Sequence, residues 1–178
     1  MTQEEKHSPV RHTFDKLQDV VGGMMGRMSA SMVSSANQFV EKAALSDRYE
    51  IMAGRIALRR TKSPDLVMLA KTMIADHTAS THNLQAALEM QETRGVMAPP
   101  AELDARHKTL VEHLEAAPDD MFDSTYIDQQ VLAHEEALSL LVHFRDHGDN
   151  PQLRSCAEAF APVVYRHLQH CKALKQGH

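Results

Sequence analysis

The 178-residue chain has no Trp, only three Tyr and five Phe, and just two Cys. With aromatics at 4%, the core has to be assembled from Leu, Met, Ala, Val and Ile, a mix that favours helices over sheets. No run of about 18 apolar residues occurs, so the sequence contains no transmembrane helix. A basic excess is also missing. The 19 Lys and Arg stand against 24 Asp and Glu, a formal net charge of −5, and the longest basic run is Arg59-Arg60. That leaves no broad positive field for nucleic acid or for an anionic membrane surface. Cys156 and Cys171 fall in one expected helix, about 22 Å apart, whereas a disulfide needs Cα atoms within roughly 7 Å. Both are expected as free thiols. The opening stretch MTQEEKHSPVRHTF lacks the basic start and apolar centre of a signal peptide. The chain as written is therefore expected in the cytoplasm, or in the periplasm if a signal has been removed.

What is abundant is Met, at 11, and His, at 12. Prolines punctuate the rest: Pro64 after Ser63, the pair Pro99-Pro100, Pro118, and Pro151 after Gly148-Asp149-Asn150. Between them helical periodicity runs over about 34–61, 64–93, 101–116, 119–147 and 151–175, with no alternating strand. Short loops at 61–63 and 148–150 imply two antiparallel hairpins, and the long connection between them carries a short helix of its own. The expected class is all-α: a ferritin-like four-helix bundle over residues 34–178 with a short crossover helix. An up-down-up-down bundle with an ornamented loop is the alternative.

Residues 1–33 differ in character. From Phe14, the apolar positions Leu17, Val21, Met24, Met25, Met28 and Met32 keep helical spacing, while Gly22, Gly23 and Gly26 weaken the helix. This reads as an amphipathic arm that packs on the bundle or, through residues 12–34, on a second subunit. Clustered thioethers could also hold Cu(I), but a Met stripe at helical spacing is the ordinary pattern of packing.

Each long helix carries one strong metal-ligand type near the middle of its apolar stripe. The stripes run Ala36, Phe39, Ala43, Ser46, Glu50, Ala53, Ala57, then Leu66, Leu69, Met73, His77, Leu84, Leu88. The later two run Ile127, Val131, His134, Leu138, Leu141, then Leu153, Ala157, Phe160, Val164, His167, Cys171, Leu174. Counted from the turn near residue 62, Glu50 lies 12 residues back and His77 lies 15 forward. Counted from the turn near 149, His134 lies 15 back and His167 lies 18 forward. Either mismatch is about 4.5 Å, so the four can meet in one layer. Three imidazoles and a carboxylate suit Zn(II) first, with Fe(II) or Cu(II) behind it. The plainer alternative is that each His is merely hydrogen-bonded in the core, with His77 or His134 paired to Glu50.

Other polar residues fall elsewhere on these helices. His143 is turned to the far face from His134, His82 points away from His77, and His170 could reach only the edge of the layer. Asp76 points some 100° from His77 and is expected to orient a neighbour. Tyr126 and Gln130, at four-residue steps from His134, could supply supporting hydrogen bonds. Pro162 is expected to kink the last helix five residues before His167, freeing the Glu158 carbonyl. Neither His77 nor His167 has the Glu three residues earlier that di-iron bundles use, since Ile74 and Val164 stand there. HEEAL at 134–138 fails the His-Glu-x-x-His pattern, and no P-loop, nucleophile elbow or dinucleotide fingerprint occurs.

The stretches FVEKAALSDRYEIMAGRIALRR, MLAKTMIADHT, FDSTYIDQQVLAHEEALSLL and FAPVVYRHLQHCKAL resemble the bacterial family of domain of unknown function 4142, over roughly residues 35–175. Its members are often labelled outer membrane proteins. The resemblance implies a ferritin-like bundle and places the family's recurring Glu, His, His and His on Glu50, His77, His134 and His167. It supplies no reaction. The resulting expectation is a metal-binding, stress-related protein with one buried Glu/His site. The alternative is a non-catalytic helical interaction module with hydrogen-bonded core histidines.

Overall fold

A computed structural model of the chain describes residues 9–177, so the first eight residues of the expected arm lie outside the described residues. Six α-helices follow one another: α1 (Pro9–Ala30), α2 (Ala36–Arg60), α3 (Pro64–Leu88), α4 (Ala105–Ala116), α5 (Phe122–His147) and α6 (Pro151–Gly177). A 3₁₀ turn, Gln91–Thr93, follows α3. No strand occurs among the described residues.

Local chemistry sets the ends. Ser63 accepts from the Leu66 amide and Pro64 occupies the first turn of α3. Asp104 caps α4 by accepting from the His107 amide at 2.8 Å, which is why that helix starts at Ala105 rather than near 101. The expected 64–93 helix stops at Leu88. There the buried Thr93 hydroxyl donates to the Ala87 and Met90 carbonyls, each at 2.9 Å, and closes the chain into the tighter turn. Asn150 accepts from the Leu153 amide at 3.0 Å ahead of Pro151. α6 stays helical through Pro162.

α2 packs on α3 and α5, and α6 packs on α3 and α5. Phe39 near the start of α2 stacks on Phe144 near the end of α5, with ring centroids 4.1 Å apart. At the other end Arg60 lies 4.5 Å over the Phe122 ring, so α2 and α5 run antiparallel. Asn150, just before α6, donates to the Glu92 carbonyl just after α3, which makes that pair antiparallel too. Asp149 ties the second hairpin turn to the start of α2 by accepting from the Ala36 amide at 2.8 Å.

The apolar interior is split in two. One cluster gathers Tyr49, Leu66, Met73, Phe122, Ile127 and Leu168, and the other gathers Phe39, Leu84, Leu141, Phe144, Leu153 and Val164. His77, His134 and His167 fall at the break between them, each buried.

α1 lies on α5 and α4, but with its apolar face outward. Leu17, Val21, Met24, Met25, Met28 and Met32 are exposed, while His12, Asp19, Gly23, Gly26 and Ala30 are buried. The arm therefore meets the bundle through its polar and glycine face and leaves the apolar stripe outward. The glycines allow the close approach. A Cβ at Gly23 would press within 3.1 Å of Leu132, and one at Gly26 would collide with the Glu136 carboxylate, which Arg106 holds. Lys16–Asp128 and Arg27–Glu135 ion pairs, at 2.8 and 2.9 Å, flank the seam.

Candidate metal centre

α3, α5 and α6 each project one imidazole into the break in the core. One ring nitrogen from each of His77, His134 and His167 lies within 4.8 Å of one from each of the others, and the ring centroids stand 5.4 to 5.7 Å apart. Each ring is oriented by a hydrogen bond from its other nitrogen. His77 Nδ1 donates to Asp47 Oδ1, His167 Nε2 to Asp76 Oδ2, and His134 Nδ1 to the Gln130 carbonyl, all at 2.8 Å. These partners fix the neutral tautomers. The lone pairs then sit on His77 Nε2, His134 Nε2 and His167 Nδ1, and those three buried nitrogens have no hydrogen-bond partner.

Glu50 is the fourth buried polar group. It is 1% exposed, and neither carboxylate oxygen has a hydrogen-bond partner. It stands beside the cluster rather than within it: Oε1 lies 3.5 Å from His134 Nδ1, the nitrogen already given to Gln130. Burial pushes its carboxyl up to about 7, against the opposing pull of His77. Burial and the neighbouring His77 and His167 hold His134 well below its ordinary value. His167 is also lowered by burial, against the hydrogen bond to Asp76. Burial works against a proton on His77 as well, but its bond to Asp47 and the charges of Glu50, Asp47 and Asp76 together raise it.

Of the remaining residues singled out from the sequence, Asp76 reaches across from α3 to His167 on α6. Gln130 supports His134 through its backbone, while its side-chain amide and the Tyr126 hydroxyl are buried without partners on the same side of α5. His82, His147 and His170 are exposed, and His143 is half-buried with its ring 4.7 Å from that of His147. Both cysteines are free, and burial pushes the Cys171 thiol up to about 12. Asp47 escaped the sequence reading, which ran its stripe through Ser46. The available signal was the three-residue step from Asp47 to Glu50, which sets two carboxylates on one face.

A cavity of about 170 Å³ opens from the surface onto His77 and His167. The slight exposure of the polar layer is on that side: His77 and His167 are 5% and 6% exposed, His134 and Glu50 1% each.

A second buried polar group lies under α1. Asp19 accepts from Gln129 Nε2 at 2.8 Å and from His113 Nδ1 at 2.7 Å. Gln129 Oε1 accepts from the Tyr49 hydroxyl at 2.9 Å, and Thr125 pairs with His12 at 3.1 Å.

The family model described as domain of unknown function (DUF4142) matches residues 24–174. No curated protein matches the chain. No solved structure matches it either.

Proposed function

We propose that this chain, which belongs to the DUF4142 family, is a ferritin-like bundle that holds one transition-metal ion through His77, His134 and His167, with Glu50 as the fourth ligand once its carboxylate turns in from beside the cluster. The observation that supports this best is the pattern of lone pairs. Three imidazoles, each turned by a carboxylate or carbonyl on its outer nitrogen, leave their inner nitrogens buried and unpartnered. An unpartnered buried polar atom costs about 1–3 kcal/mol, and a metal ion satisfies all three at once. The nitrogens of a tetrahedral zinc site lie about 3.3 Å apart at Zn–N of about 2.0 Å, so binding draws this set inward by at most about 1.5 Å. Asp47 and Asp76 give the carboxylate–histidine–metal arrangement that fixes tautomer and raises ligand basicity. Together with Glu50 they offset the charge of a divalent cation.

Neutral imidazoles and one carboxylate favour zinc, with iron and copper behind it. A bound ion of this kind would supply Lewis acidity. The chain's own part is to exclude water from the rear of the site and to hold the rings. Metal analysis of protein purified without an affinity tag tests the reading. About one ion per chain is expected in the wild type and close to none in His77→Ala and His134→Ala. Equal contents in all three overturn it.

The outward apolar face of α1 favours a second reading, an interaction module in which residues 12–34 meet another copy. Mass in solution after removal of residues 1–33 tests it, and an unchanged oligomeric state overturns it.

A further inference from the structure

We propose that the cavity beside the histidine cluster is a binding pocket for a small, mainly apolar organic molecule that reaches the metal through one donor atom. The inference rests on the metal reading above. Three features support it, the first being size. An apolar cavity of about 150 Å³ accommodates benzene, and this one encloses about 170 Å³, so a body of about six to ten non-hydrogen atoms fits.

The second is the wall. Ala43, Ala137, Leu140, Leu141, Phe160 and Val164 line the pocket, and Asp47 and Asp76, which also line it, have each committed an oxygen to a histidine. Ser46, Ser80, Asn83 and Arg166 also line it, the last two exposed, yet most of the lining surface is hydrocarbon, the usual character of a small-molecule site. The third is direction. His77 and His167 form part of the lining, whereas His134 and Glu50 lie behind them and are sealed to 1% exposure. The inner nitrogens of the His77 and His167 rings are themselves buried, and with Glu50 and His134 on the closed side, a fifth ligand to a zinc-type ion would have to enter between these two rings.

The test uses the full chain loaded with Co(II), whose visible absorption bands report a change of ligand, and two probes, imidazole and 4-phenylimidazole. Metal content is measured separately on every sample. The phenyl group is expected to tighten binding about tenfold or more over imidazole, because it buries an apolar ring. Ala43→Leu, which fills the pocket from α2, is expected to abolish that advantage while leaving cobalt content unchanged. Ala79→Phe, at an exposed position on the lining, repeats the test where a larger side chain does not strain the interior. Normal cobalt loading with equal binding of the two probes, or with no response to either, overturns the pocket and leaves the metal site standing. A chain that takes up no cobalt overturns the metal reading and the pocket with it.

Discussion

Two buried polar groups lie within the same helices, and they are finished differently. Under α1, Asp19, Gln129, Tyr49, His113, Thr125 and His12 pair among themselves, and none of their buried side-chain atoms is without a partner. In the break between the two apolar clusters, His77, His134, His167 and Glu50 are equally buried, yet five of their side-chain atoms face no hydrogen-bond partner: three ring nitrogens and both Glu50 oxygens. The first group closes on itself and acts as a structural joint. The second leaves these atoms unsatisfied by the chain itself. Leu at each of the histidine positions would contribute about 1.5–3 kcal/mol of burial, so an unfinished polar layer is an expensive way to build a core unless it holds a ligand.

The largest expected effect separates the two groups directly. Stripping the ion with a chelator should remove the stabilisation that a ligand of the folded state provides, about 4 kcal/mol with the free ion at a thousand times Kd. In a chain of this size that is a fall in Tm of about 8–16 °C, read by calorimetry with and without added zinc. No change in Tm would make the two groups alike. Next, Asp19→Ala should leave His113 Nδ1 without its acceptor and Gln129 Nε2 with the Leu110 carbonyl alone. The orphaned His113 donor costs about 1–3 kcal/mol, measured by urea unfolding, with metal content unaltered. A loss of metal in this variant would show that the groups are coupled.

A smaller effect is expected from Asp47→Asn. It keeps the shape of the His77 partner but removes its charge, and should weaken metal affinity about 10–100-fold, as read by competition with a chromophoric chelator. Unchanged affinity would deny Asp47 a part in the site.

The smallest effect is a pH dependence of the closed group. The hydrogen bond to Asp19 raises the pKa of His113, against burial, with Asp15 and Glu112 adding to the rise. The folded chain therefore holds this proton more tightly than the unfolded one. Its contribution is full below about pH 6.5 and is lost as pH rises through the higher folded value. His113→Gln should flatten the stability profile across that window, and an unflattened profile would assign the dependence to another group.

Much of the helical plan is legible because apolar periodicity and proline caps are local signals. The same signals place Glu50, His77, His134 and His167 in apolar stripes at comparable depth, since rise per residue converts sequence distance into height. They cannot show which polar groups meet across helices. Asp47 and His77 are 30 residues apart and Asp19 and His113 are 94 apart, and neither pair leaves a mark in a hydrophobic pattern. α1 shows the other limit. Amphipathicity marks the apolar face of a helix but not the face that is buried. There, small glycines and partnered polar side chains meet α5 while the methionines remain outside.

The split of the three imidazoles between the hairpins has a kinetic consequence. His77 belongs to the α2–α3 hairpin, and His134 and His167 to α5–α6. The two hairpins are separated by a long connection, so their docking relies on contacts distant in sequence, the slow part of assembling such a topology. A chain with only one hairpin formed offers at most two of the three nitrogens. An ion that needs all three would engage only after docking and would then slow its reversal. Pulse-labelled refolding with and without zinc should show an unchanged early phase and a reduced rate of unfolding, making metal supply a control on how long the folded chain persists.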